Sequence, residues 1–340
     1  MADRVLITGI SGFLGGHVAL ALLKAGYRVR GSLRDLKRAA AVEATLKAAG
    51  ADISALEFVA LDLTDDAGWA AAMEGVRFLQ HTASPFLTTM PADKHVLIGP
   101  AVAGTERAIN AALAGDVERI VLTSSMAAIV YGHDKAQTLF TAADWTNLDG
   151  RGINAYVESK TRAERRAWDL MQGAGRAADL TTVNPSAILG PLLDDDPGTS
   201  VALVARFLNG GVPAAPRMSL GIVDVRDVAD LHVIAMTAPI AAGQRLPISA
   251  DTIALIDLAR AVGAAFPQFS GRMPRFVMPD WAVRLYALFD GDVRGNLDEL
   301  GLVKQLQSDA AVTLLGRPLI GPADAAIASA GSLIDRGLAK

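Results

Sequence analysis

The first half of the chain alternates short apolar runs with longer segments whose apolar positions follow helical spacing. Six strand-like runs, most of them rich in β-branched residues and without polar alternation, occupy 4–9, 27–33, 56–62, 76–83, 118–125 and 179–186. Between them, helices are predicted at 13–26, 36–50, around 64–74, 93–114 and 154–172. Near-continuous apolar strands that alternate with helices are typical of a parallel sheet covered on both faces. The pattern therefore predicts a doubly wound α/β fold.

The second half loses this regular alternation after about residue 186. Several prolines interrupt 186–220, and 249–340 contains helical stretches without a regular succession of strands. The segment 221–248 starts like a strand and continues like a helix, so we expect it to return to the sheet. We therefore predict a large domain over 1–185, to which 221–248 returns, and a smaller unit formed by 186–220 and 249–340.

Composition excludes several classes of function. A hydrophobic content of 51% and a charged content of 20% indicate a folded globular protein, and a formal net charge of −4 argues against nucleic-acid binding. The chain has no cysteine and 5 scattered histidines, so we expect no metal site and no thiolate chemistry. The N-terminal MADRVLITG shows no secretory signal, and no apolar run is long enough to span a membrane. We expect a cytoplasmic protein.

Three evenly spaced glycines follow the first predicted strand. In TGISGFLGGHV, Gly9, Gly12 and Gly15 lie between the first strand and the first helix. Glycine permits a tight turn, lets the backbone approach a pyrophosphate and lets the helix pack closely on the strand. The helix N-terminus then presents unpaired N–H groups to phosphate oxygens. This context predicts a dinucleotide site, although the same glycines would also serve packing alone.

The end of the second strand indicates which dinucleotide is bound. Sites for NAD commonly place an Asp or Glu there, where it binds the ribose 2′-hydroxyl. This chain instead has a leucine followed by Arg34, Lys37 and Arg38, and a guanidinium binds a 2′-phosphate that a carboxylate would repel. We therefore expect NADP, although Asp35 fits either cofactor. Asp62, at the end of the third strand, is expected either to contact the adenine or to cap the following helix.

Two tyrosine–lysine pairs have the four-residue spacing that places side chains on one face of a helix. Tyr131 and Lys135 lie in YGHDK, whose Gly and Asp favour a loop. Tyr156 and Lys160 lie among strong helix formers, with Asn154 as the predicted N-cap. An ammonium about 4 Å from a phenol favours the phenolate by roughly 4 kcal/mol at an effective dielectric of about 20. Lys160 is therefore expected to lower the pKa of Tyr156 toward the neutral range, where a general acid works best.

These motifs, taken together, resemble the extended short-chain dehydrogenase/reductases. TGxxGxxG at 8–15, DLTD at 62–65, TSS at 123–125 and YxxxK at 156–160 follow the family's order. Five further stretches are similar to the dihydroflavonol-reductase and aldehyde-reductase branch: LRD (33–35), HTASP (81–85), VNPSAILGP (183–191), DVRDVADLHV (224–233) and LGRP (315–318). The resemblance covers nearly the whole chain. It implies that the large domain binds the dinucleotide in a Rossmann fold and that the smaller unit binds the substrate.

The resemblance also implies a catalytic triad and a cofactor site. Tyr156 would protonate the carbonyl oxygen of the substrate, Lys160 would hydrogen-bond to the nicotinamide ribose, and Ser125 would hydrogen-bond to the same carbonyl oxygen. Pro185 would lie against the nicotinamide ring. The other residues implied for the cofactor, besides Lys160, Arg34, Arg38 and Asp62, are Thr8, Gly9, Ser11, Gly12, Phe13, Leu14, Gly15, Leu63, Ala83, Ser84, Thr123 and Ser186. The implied reaction is the NADPH-dependent reduction of an aldehyde or ketone to the alcohol.

The substrate pocket departs from the best-known members of that branch. Phe86, Met126, Leu192 and Tyr286 suggest an apolar pocket, although the same residues would also suit a core. Val130 occupies the place, five residues after the catalytic serine, where dihydroflavonol reductases carry an Asn, and INAYV replaces the NWYCY-type stretch of cinnamoyl-CoA reductases. We therefore expect a broad reductase of small-molecule aldehydes or ketones. A homodimer through the 93–114 and 154–172 helices would match many relatives.

Two other functions share some of these features. A sugar-nucleotide epimerase or dehydratase has the same fold and triad, but dehydratases usually carry acidic residues directly after the catalytic serine, where Met126 and Ala127 follow here. Epimerases usually keep NAD bound, with an acid at the end of the second strand. A non-catalytic NADP-sensing protein generally loses the tyrosine or the lysine, and this chain keeps both. The residues therefore favour a reductase.

Overall fold

The apolar runs of the first half form strands, as their pattern predicts. A computed structural model describes residues 2–85 and 93–339 of the chain. The strands are β1 (Arg4–Thr8), β2 (Arg28–Leu33), β3 (Leu56–Ala60), β4 (Phe78–His81), β5 (Arg119–Thr123), β6 (Leu139–Phe140), β7 (Leu180–Pro185), β8 (Ala187–Leu189), β9 (Ala215–Pro216), β10 (Ser219–Asp224), β11 (Arg245–Ile248), β12 (Asp251–Ala254), β13 (Val277–Met278) and β14 (Gln305–Leu306). The α-helices are α1 (Phe13–Lys24), α2 (Ala39–Ala48), α3 (Trp69–Met73), α4 (His95–Ala114), α5 (Ala155–Gly173), α6 (Gly198–Leu208), α7 (Val225–Ala235), α8 (Leu255–Ala265), α9 (Asp280–Tyr286), α10 (Gly291–Gly295), α11 (Asp309–Leu315) and α12 (Pro322–Asp335).

Seven strands form one sheet in the order β11-β7-β5-β4-β1-β2-β3. Every neighbouring pair in it is parallel. The winding reverses between β1 and β4, and ligands of such sheets bind in the crevice at the carboxyl ends of the strands beside this switch point. The predicted doubly wound Rossmann fold is confirmed. It brings the glycine loop after β1 and the residues after β4, β5 and β7 to one edge of the sheet.

Burial on both faces explains why these strands lack polar alternation. In β1, Val5 and Ile7 pack into a buried cluster with residues of α1 and α7, whereas Leu6 packs into a second cluster with residues of α4 and α5. All three side chains are 0% exposed, so neither face of the strand tolerates a polar residue. The apolar run therefore predicts the strand but not which helix covers which face.

Helix boundaries agree with the prediction where a cap is recognisable. The carboxamide oxygen of Asn154 accepts a hydrogen bond from the backbone N–H of Val157 at 2.9 Å and begins α5, as predicted. The helix predicted around 64–74 is shorter, because Asp62 and Asp65 each accept a backbone hydrogen bond two residues on. Gly68 then has a φ of 84°, which delays the start of α3 until Trp69.

The strand predicted at the start of 221–248 does not return to the large sheet. It forms β10, which pairs in parallel with β8 and antiparallel with β12 in a separate three-stranded sheet. That part of the prediction is wrong because β8, which follows β7 directly, offers the nearer parallel edge. The remainder of the segment does return, since α7 packs against α1 and β11 pairs with β7. The division into two units remains a prediction.

The helices of the structure bear on two predictions, that no segment spans a membrane and that α4 and α5 form a dimer contact. Among residues 2–85 and 93–339, the helices are too short or too polar to traverse a lipid bilayer. The helices predicted to form a dimer contact, α4 and α5, pack against each other within the chain. Ion pairs between Lys94 and Glu158 at 2.9 Å and between Arg166 and Glu106 at 2.6 Å join them. A dimer through their outer faces remains a prediction.

Candidate active site

The glycine loop between β1 and α1 needs glycine at two of its three positions for packing. Gly9 has a φ of 75°, and a Cβ on Gly15 would collide with the carbonyl oxygen of Gly9. Gly12 differs, because a Cβ there would meet only the Gly9 oxygen at 3.5 Å, and its φ of −92° suits any residue. Packing therefore accounts for Gly9 and Gly15 but not for Gly12. The open side of Gly12 is compatible with a ligand that approaches the backbone at the start of α1, and its contact with the cofactor remains a prediction.

The residues predicted around this loop lie beside it. A Cβ on Gly9 would lie 3.0 Å from the backbone of Ala83, so the segment after β4 borders the loop. The Thr8 hydroxyl is 2.8 Å from Nδ1 of His81 and accepts a hydrogen bond from the Ala83 N–H at 3.2 Å. Its side chain thus fixes the end of β4. Leu14 packs on the buried cluster beneath the loop. A cavity of about 90 Å³ beside α2 is lined by Ser11, Gly12, Phe13 and Arg38, among others.

The cations after β2 are available for a ligand. Arg34, Lys37 and Arg38 are exposed, and within residues 2–85 and 93–339 their side chains form no ion pair. The carboxylate of Asp35 accepts a hydrogen bond from the Lys37 N–H at 2.9 Å and caps the short turn that carries these cations. The carboxylate of Asp35 is therefore already hydrogen-bonded to the backbone of its own turn. Three unpaired positive charges at this strand end fit a 2′-phosphate.

Asp62 follows β3 at the same edge of the sheet. One carboxylate oxygen accepts hydrogen bonds from the N–H and the hydroxyl of Thr64 at 2.8 and 2.7 Å. These bonds hold the pKa of Asp62 below its usual value, and the charge of Arg34 lowers it further. Asp62 therefore caps a turn and not the following helix, which begins at Trp69, so the helix-cap alternative is wrong and contact with adenine remains a prediction. Leu63, the next residue, packs against Gly104 of α4.

The three predicted catalytic residues meet at the carboxyl ends of the strands. Ser125 lies two residues after β5, is 7% exposed, and accepts a hydrogen bond from the Ala127 N–H at 3.1 Å. Its side chain is also hydrogen-bonded to the hydroxyl of Tyr156. Lys160, one turn further along α5, places Nζ 5.9 Å from the centre of the Tyr156 ring. Nζ has no hydrogen-bond partner among the residues that the structure describes.

The pKa of Tyr156 departs from the prediction in direction. Burial raises the pKa of Tyr156, and the hydrogen bond with Ser125 opposes this effect only in part. Burial also lowers the pKa of Lys160 to about 8. The predicted lowering is wrong because it counted the attraction between the charges and omitted the loss of water around both groups. The phenol is therefore protonated at neutral pH, which a proton donor requires.

Tyr131 is not part of a second tyrosine–lysine pair. The segment 131–135 is a loop, and Lys135 is exposed. A different cation, Nζ of Lys304, lies 3.8 Å from the centre of the Tyr131 ring and is paired with Glu299 at 2.7 Å. Burial raises the pKa of Tyr131, and the charges of Glu299 and Tyr156 raise it further. Tyr131 is therefore a neighbour of Tyr156 and remains a neutral phenol.

A buried carboxylate on α5, which the sequence pattern did not single out, connects the triad to the sheet. Glu164, four residues after Lys160, is 1% exposed and accepts hydrogen bonds from Oγ of Ser124 at 2.5 Å and Nδ2 of Asn184 at 2.7 Å. Nε of Arg245 on β11 donates to the same carboxylate at 2.6 Å. Asn184 also donates to the backbone oxygen of Ser125 at 3.3 Å. The four-residue spacing from Lys160 is the signal that would have placed Glu164 on this inward face.

Four further residues predicted to bind the cofactor lie at or just after the carboxyl ends of β4, β5 and β7. Pro185 ends the strand, and Ser186 follows it with a hydroxyl that is buried and has no hydrogen-bond partner in the described part of the chain. An unsatisfied buried hydroxyl costs about 1–3 kcal/mol, so a ligand that bonds to it would be stabilised. The Thr123 hydroxyl is 2.8 Å from Nε2 of His232. Ser84 is partly buried in the loop after β4.

The residues predicted for the substrate pocket lie in several places. Met126 follows Ser125, and its Cε lies 3.8 Å from the position a Cβ on Gly221 would take. Val130 and Leu192 are 1% and 5% exposed and pack in two separate hydrophobic clusters. Both residues therefore belong to the core, the alternative to a place in the pocket. Tyr286 lines an apolar cleft in the C-terminal part of the chain. Phe86 lies outside the described residues.

Comparisons with known proteins agree with this geometry. The family model "NAD dependent epimerase/dehydratase family" matches residues 5–248. The NADPH-dependent methylglyoxal reductase GRE2 of Saccharomyces cerevisiae is 30% identical over 292 residues, which cover 79% of this chain and 84% of the relative. Cinnamoyl-CoA reductase CAD2 of Medicago truncatula is 33% identical over 252 residues, 72% of this chain and 75% of the relative. The solved structure of yeast methylglyoxal/isovaleraldehyde reductase Gre2 complexed with NADPH superposes with a TM-score of 0.79 at 25% identity, covering 98% of this chain and 99% of that one.

Proposed function

The chain belongs to the NAD dependent epimerase/dehydratase family, and we propose that it reduces an aldehyde or ketone to the alcohol with NADPH. The observation that carries the proposal is the meeting of Ser125, Tyr156 and Lys160 at the carboxyl ends of the strands, the edge of the sheet that also carries the glycine loop. The named reductases among its relatives, each matched over most of its length, support the same reaction class.

The cofactor supplies the hydride when it is bound, and the chain supplies binding and orientation. The open side of Gly12 and the N–H groups at the start of α1 would hold the pyrophosphate. Arg34 and Arg38 would bind the 2′-phosphate, since the described residues leave both guanidinium groups without an ion pair. The unpartnered hydroxyl of Ser186 would bond to the nicotinamide end. These four features fit NADPH and need no metal.

The proton comes from Tyr156. Burial keeps this phenol protonated at neutral pH, and Ser125, beside it, would hydrogen-bond to the carbonyl oxygen that receives the proton. Lys160, whose pKa is lowered to about 8, still carries its charge at neutral pH and stabilises the phenolate that proton donation leaves. Glu164 accepts hydrogen bonds from the hydroxyl of Ser124 and from Asn184, which also donates to the backbone oxygen of Ser125, and so helps to position Ser125.

The test is a steady-state assay of the purified protein with NADPH or NADH and a panel of aldehydes, ketones and dihydroflavonols. We expect carbonyl-dependent oxidation of NADPH, formation of the alcohol and a lower KM for NADPH than for NADH. Tyr156→Phe serves as the control for turnover at this site. Absence of turnover with every carbonyl, or equal turnover by Tyr156→Phe, contradicts the proposal. Conversion of a sugar nucleotide without net use of NADPH would instead support an epimerase, which the neutral Met126 and Ala127 after Ser125 argue against.

A further inference from the structure

An exposed apolar stripe follows one face of α9 and the turn after it. The stripe consists of Trp281, Leu285, Leu288 and Phe289, of which Trp281 is 72% and Phe289 84% exposed. Because a helix advances by about 100° per residue, these four positions fall within about 100° of its circumference. The N–H of Phe289 donates to the oxygen of Tyr286 at 2.9 Å, so the turn continues the path of the helix. The four side chains therefore lie on one surface.

The opposite face of α9 is buried. Val283 and, just after the helix, Ala287 are each 2% exposed. A surface helix normally turns polar side chains to the solvent, whereas α9 is apolar on both faces. Scattered exposed apolar residues are ordinary, but seven of the thirteen large ones in the described part of the chain fall within 276–289. A concentration of this kind marks a surface that binds a partner or a membrane.

Positive charge accompanies the apolar stripe. Arg284 lies beside the stripe on the helix circumference, and Arg275 precedes the helix. Both are exposed, and neither forms an ion pair within residues 2–85 and 93–339. The acidic residues at the two ends of the segment are already paired, Asp280 with Arg217 at 2.6 Å and Asp290 with Arg206 at 3.0 Å. The described residues thus present an apolar stripe with uncompensated positive charge next to it.

We propose that this stripe binds the surface of an anionic lipid bilayer. Trp281 and Phe289 would enter the headgroup region, and Arg284 would lie against lipid phosphates. Aromatic and leucine side chains on one face, with arginine beside them, are the pattern of helices that lie in the plane of a membrane interface without crossing it. This inference does not depend on the proposed reductase function.

A second copy of the chain is the alternative occupant of the stripe. A two-fold contact would place the same surface of both copies together. It would bring Arg284 of each copy into an interface where the described acidic residues of the segment, Asp280 and Asp290, are already paired. A bilayer of anionic lipids supplies the missing negative charge. Charge complementarity therefore favours the membrane.

The test is co-sedimentation of the purified protein with phosphatidylcholine vesicles, prepared with and without phosphatidylglycerol. We expect binding to the anionic vesicles that weakens as salt is raised. Trp281→Ser/Phe289→Ser should weaken this binding at least tenfold, because two large side chains no longer enter the lipid. Arg284→Gln should weaken it about fivefold. Ile240→Ser and Lys47→Gln, which remove an exposed apolar and an exposed cationic side chain elsewhere, should bind like the wild type.

Tryptophan fluorescence reports whether the stripe itself enters the lipid. Trp281 is the exposed one of the four tryptophans, since Trp69 is buried and Trp145 and Trp168 are half-buried. Binding through the stripe should shift the emission of Trp281 to shorter wavelength, and brominated lipid should quench it. Trp281→Phe should keep the binding and lose the shift.

Three results would overturn the inference. They are absence of binding to both kinds of vesicle, equal binding by Trp281→Ser/Phe289→Ser, and a dimer that this double variant separates in analytical ultracentrifugation, since a second copy would then cover the stripe. The variants should keep the thermal midpoint of the wild type, because the replaced side chains are exposed. A loss of binding in the double variant is therefore a property of the stripe and not of the fold.

Discussion

Loss of the Arg245 charge should destabilise the protein strongly, because it would leave a buried carboxylate without its cation. The side chains of Arg245 and Glu164 are 9% and 0% exposed, and Nε lies 2.6 Å from the carboxylate. Arg245 also donates to the backbone oxygens of Ala142 and Asp144 at 2.7 and 2.6 Å. Removing one partner of a buried ion pair typically costs about 3–5 kcal/mol. We therefore expect Arg245→Met to lower the free energy of unfolding by about that amount.

Urea unfolding of single and double variants measures this effect. Glu164→Gln removes the charge that Arg245 compensates, so Glu164→Gln/Arg245→Met should cost less than the sum of the single variants, with a coupling energy of about 1–3 kcal/mol. The matched control is Arg260→Met, which breaks an exposed pair with Asp257 at 2.9 Å. Exposed pairs contribute about 0–1 kcal/mol, so the control should change stability little.

The same variants connect stability to catalysis. Glu164 accepts hydrogen bonds from the hydroxyl of Ser124 and from Asn184, and Asn184 also donates to the backbone oxygen of Ser125. Glu164→Gln should therefore lower kcat more than it changes KM for the carbonyl, measured below the unfolding transition. A cost of Arg245→Met no larger than that of Arg260→Met, or additive single variants, would refute the reasoning.

Four further outcomes can be measured on the purified enzyme. Tyr156→Phe should lower kcat by roughly 10²–10⁴, the usual range for a lost general acid, whereas Tyr131→Phe should lower it less than about tenfold; equal losses would make both tyrosines essential. Gly12→Ala should keep the thermal midpoint and raise KM for NADPH, because a methyl group there would meet the protein only at an ordinary contact distance, 3.5 Å from the Gly9 oxygen, and would obstruct the expected pyrophosphate; a lowered midpoint would mean that packing needs this glycine. Arg34→Ala should raise KM for NADPH and leave KM for NADH nearly unchanged, and a parallel rise for both would exclude a 2′-phosphate contact. The pKa of Lys160 is lowered to about 8, so its charge is present below that pH and lost above it, and kcat/KM for NADPH should fall as pH rises through about 8; a flat profile to higher pH would contradict this.

The strands and the glycine loop could be predicted because their causes are local. A strand buried on both faces must be apolar throughout, as Val5, Leu6 and Ile7 are, and this requirement appears directly in the sequence. Gly9 is likewise fixed by its own φ of 75°. Asn154 was recognisable as a cap because its partner, Val157, is three residues away. In each case the residues that determine the structure are neighbours along the chain or in one element.

The buried network and the pairing of β10 could not be predicted, because they depend on distant residues. The spacing from Lys160 indicates which face of the helix carries Glu164, but its cation, Arg245, lies 81 positions later and is not indicated by any local pattern. Strand β10 reads as another apolar strand, and its partner depends on β8 leaving the large sheet immediately after Pro185. The cleft lined by Tyr286 has the same origin, since α6, α8, α9 and α10 form it together.

The choice between the two tyrosines follows from which element carries the cation. On α5, one helical turn fixes Lys160 to Tyr156, and the lysine has no acidic partner among the described residues, so its charge remains available to a developing phenolate. Beside Tyr131, the cation Lys304 comes from a separate segment and is already neutralised by Glu299 at 2.7 Å. A phenolate at Tyr131 would therefore face a net charge near zero, together with the same burial that raises the pKa of both phenols. We therefore expect proton donation from Tyr156, whose cation is unpaired among the described residues, and a variant that frees Lys304, such as Glu299→Gln, is the change that should bring Tyr131 closest to the same role.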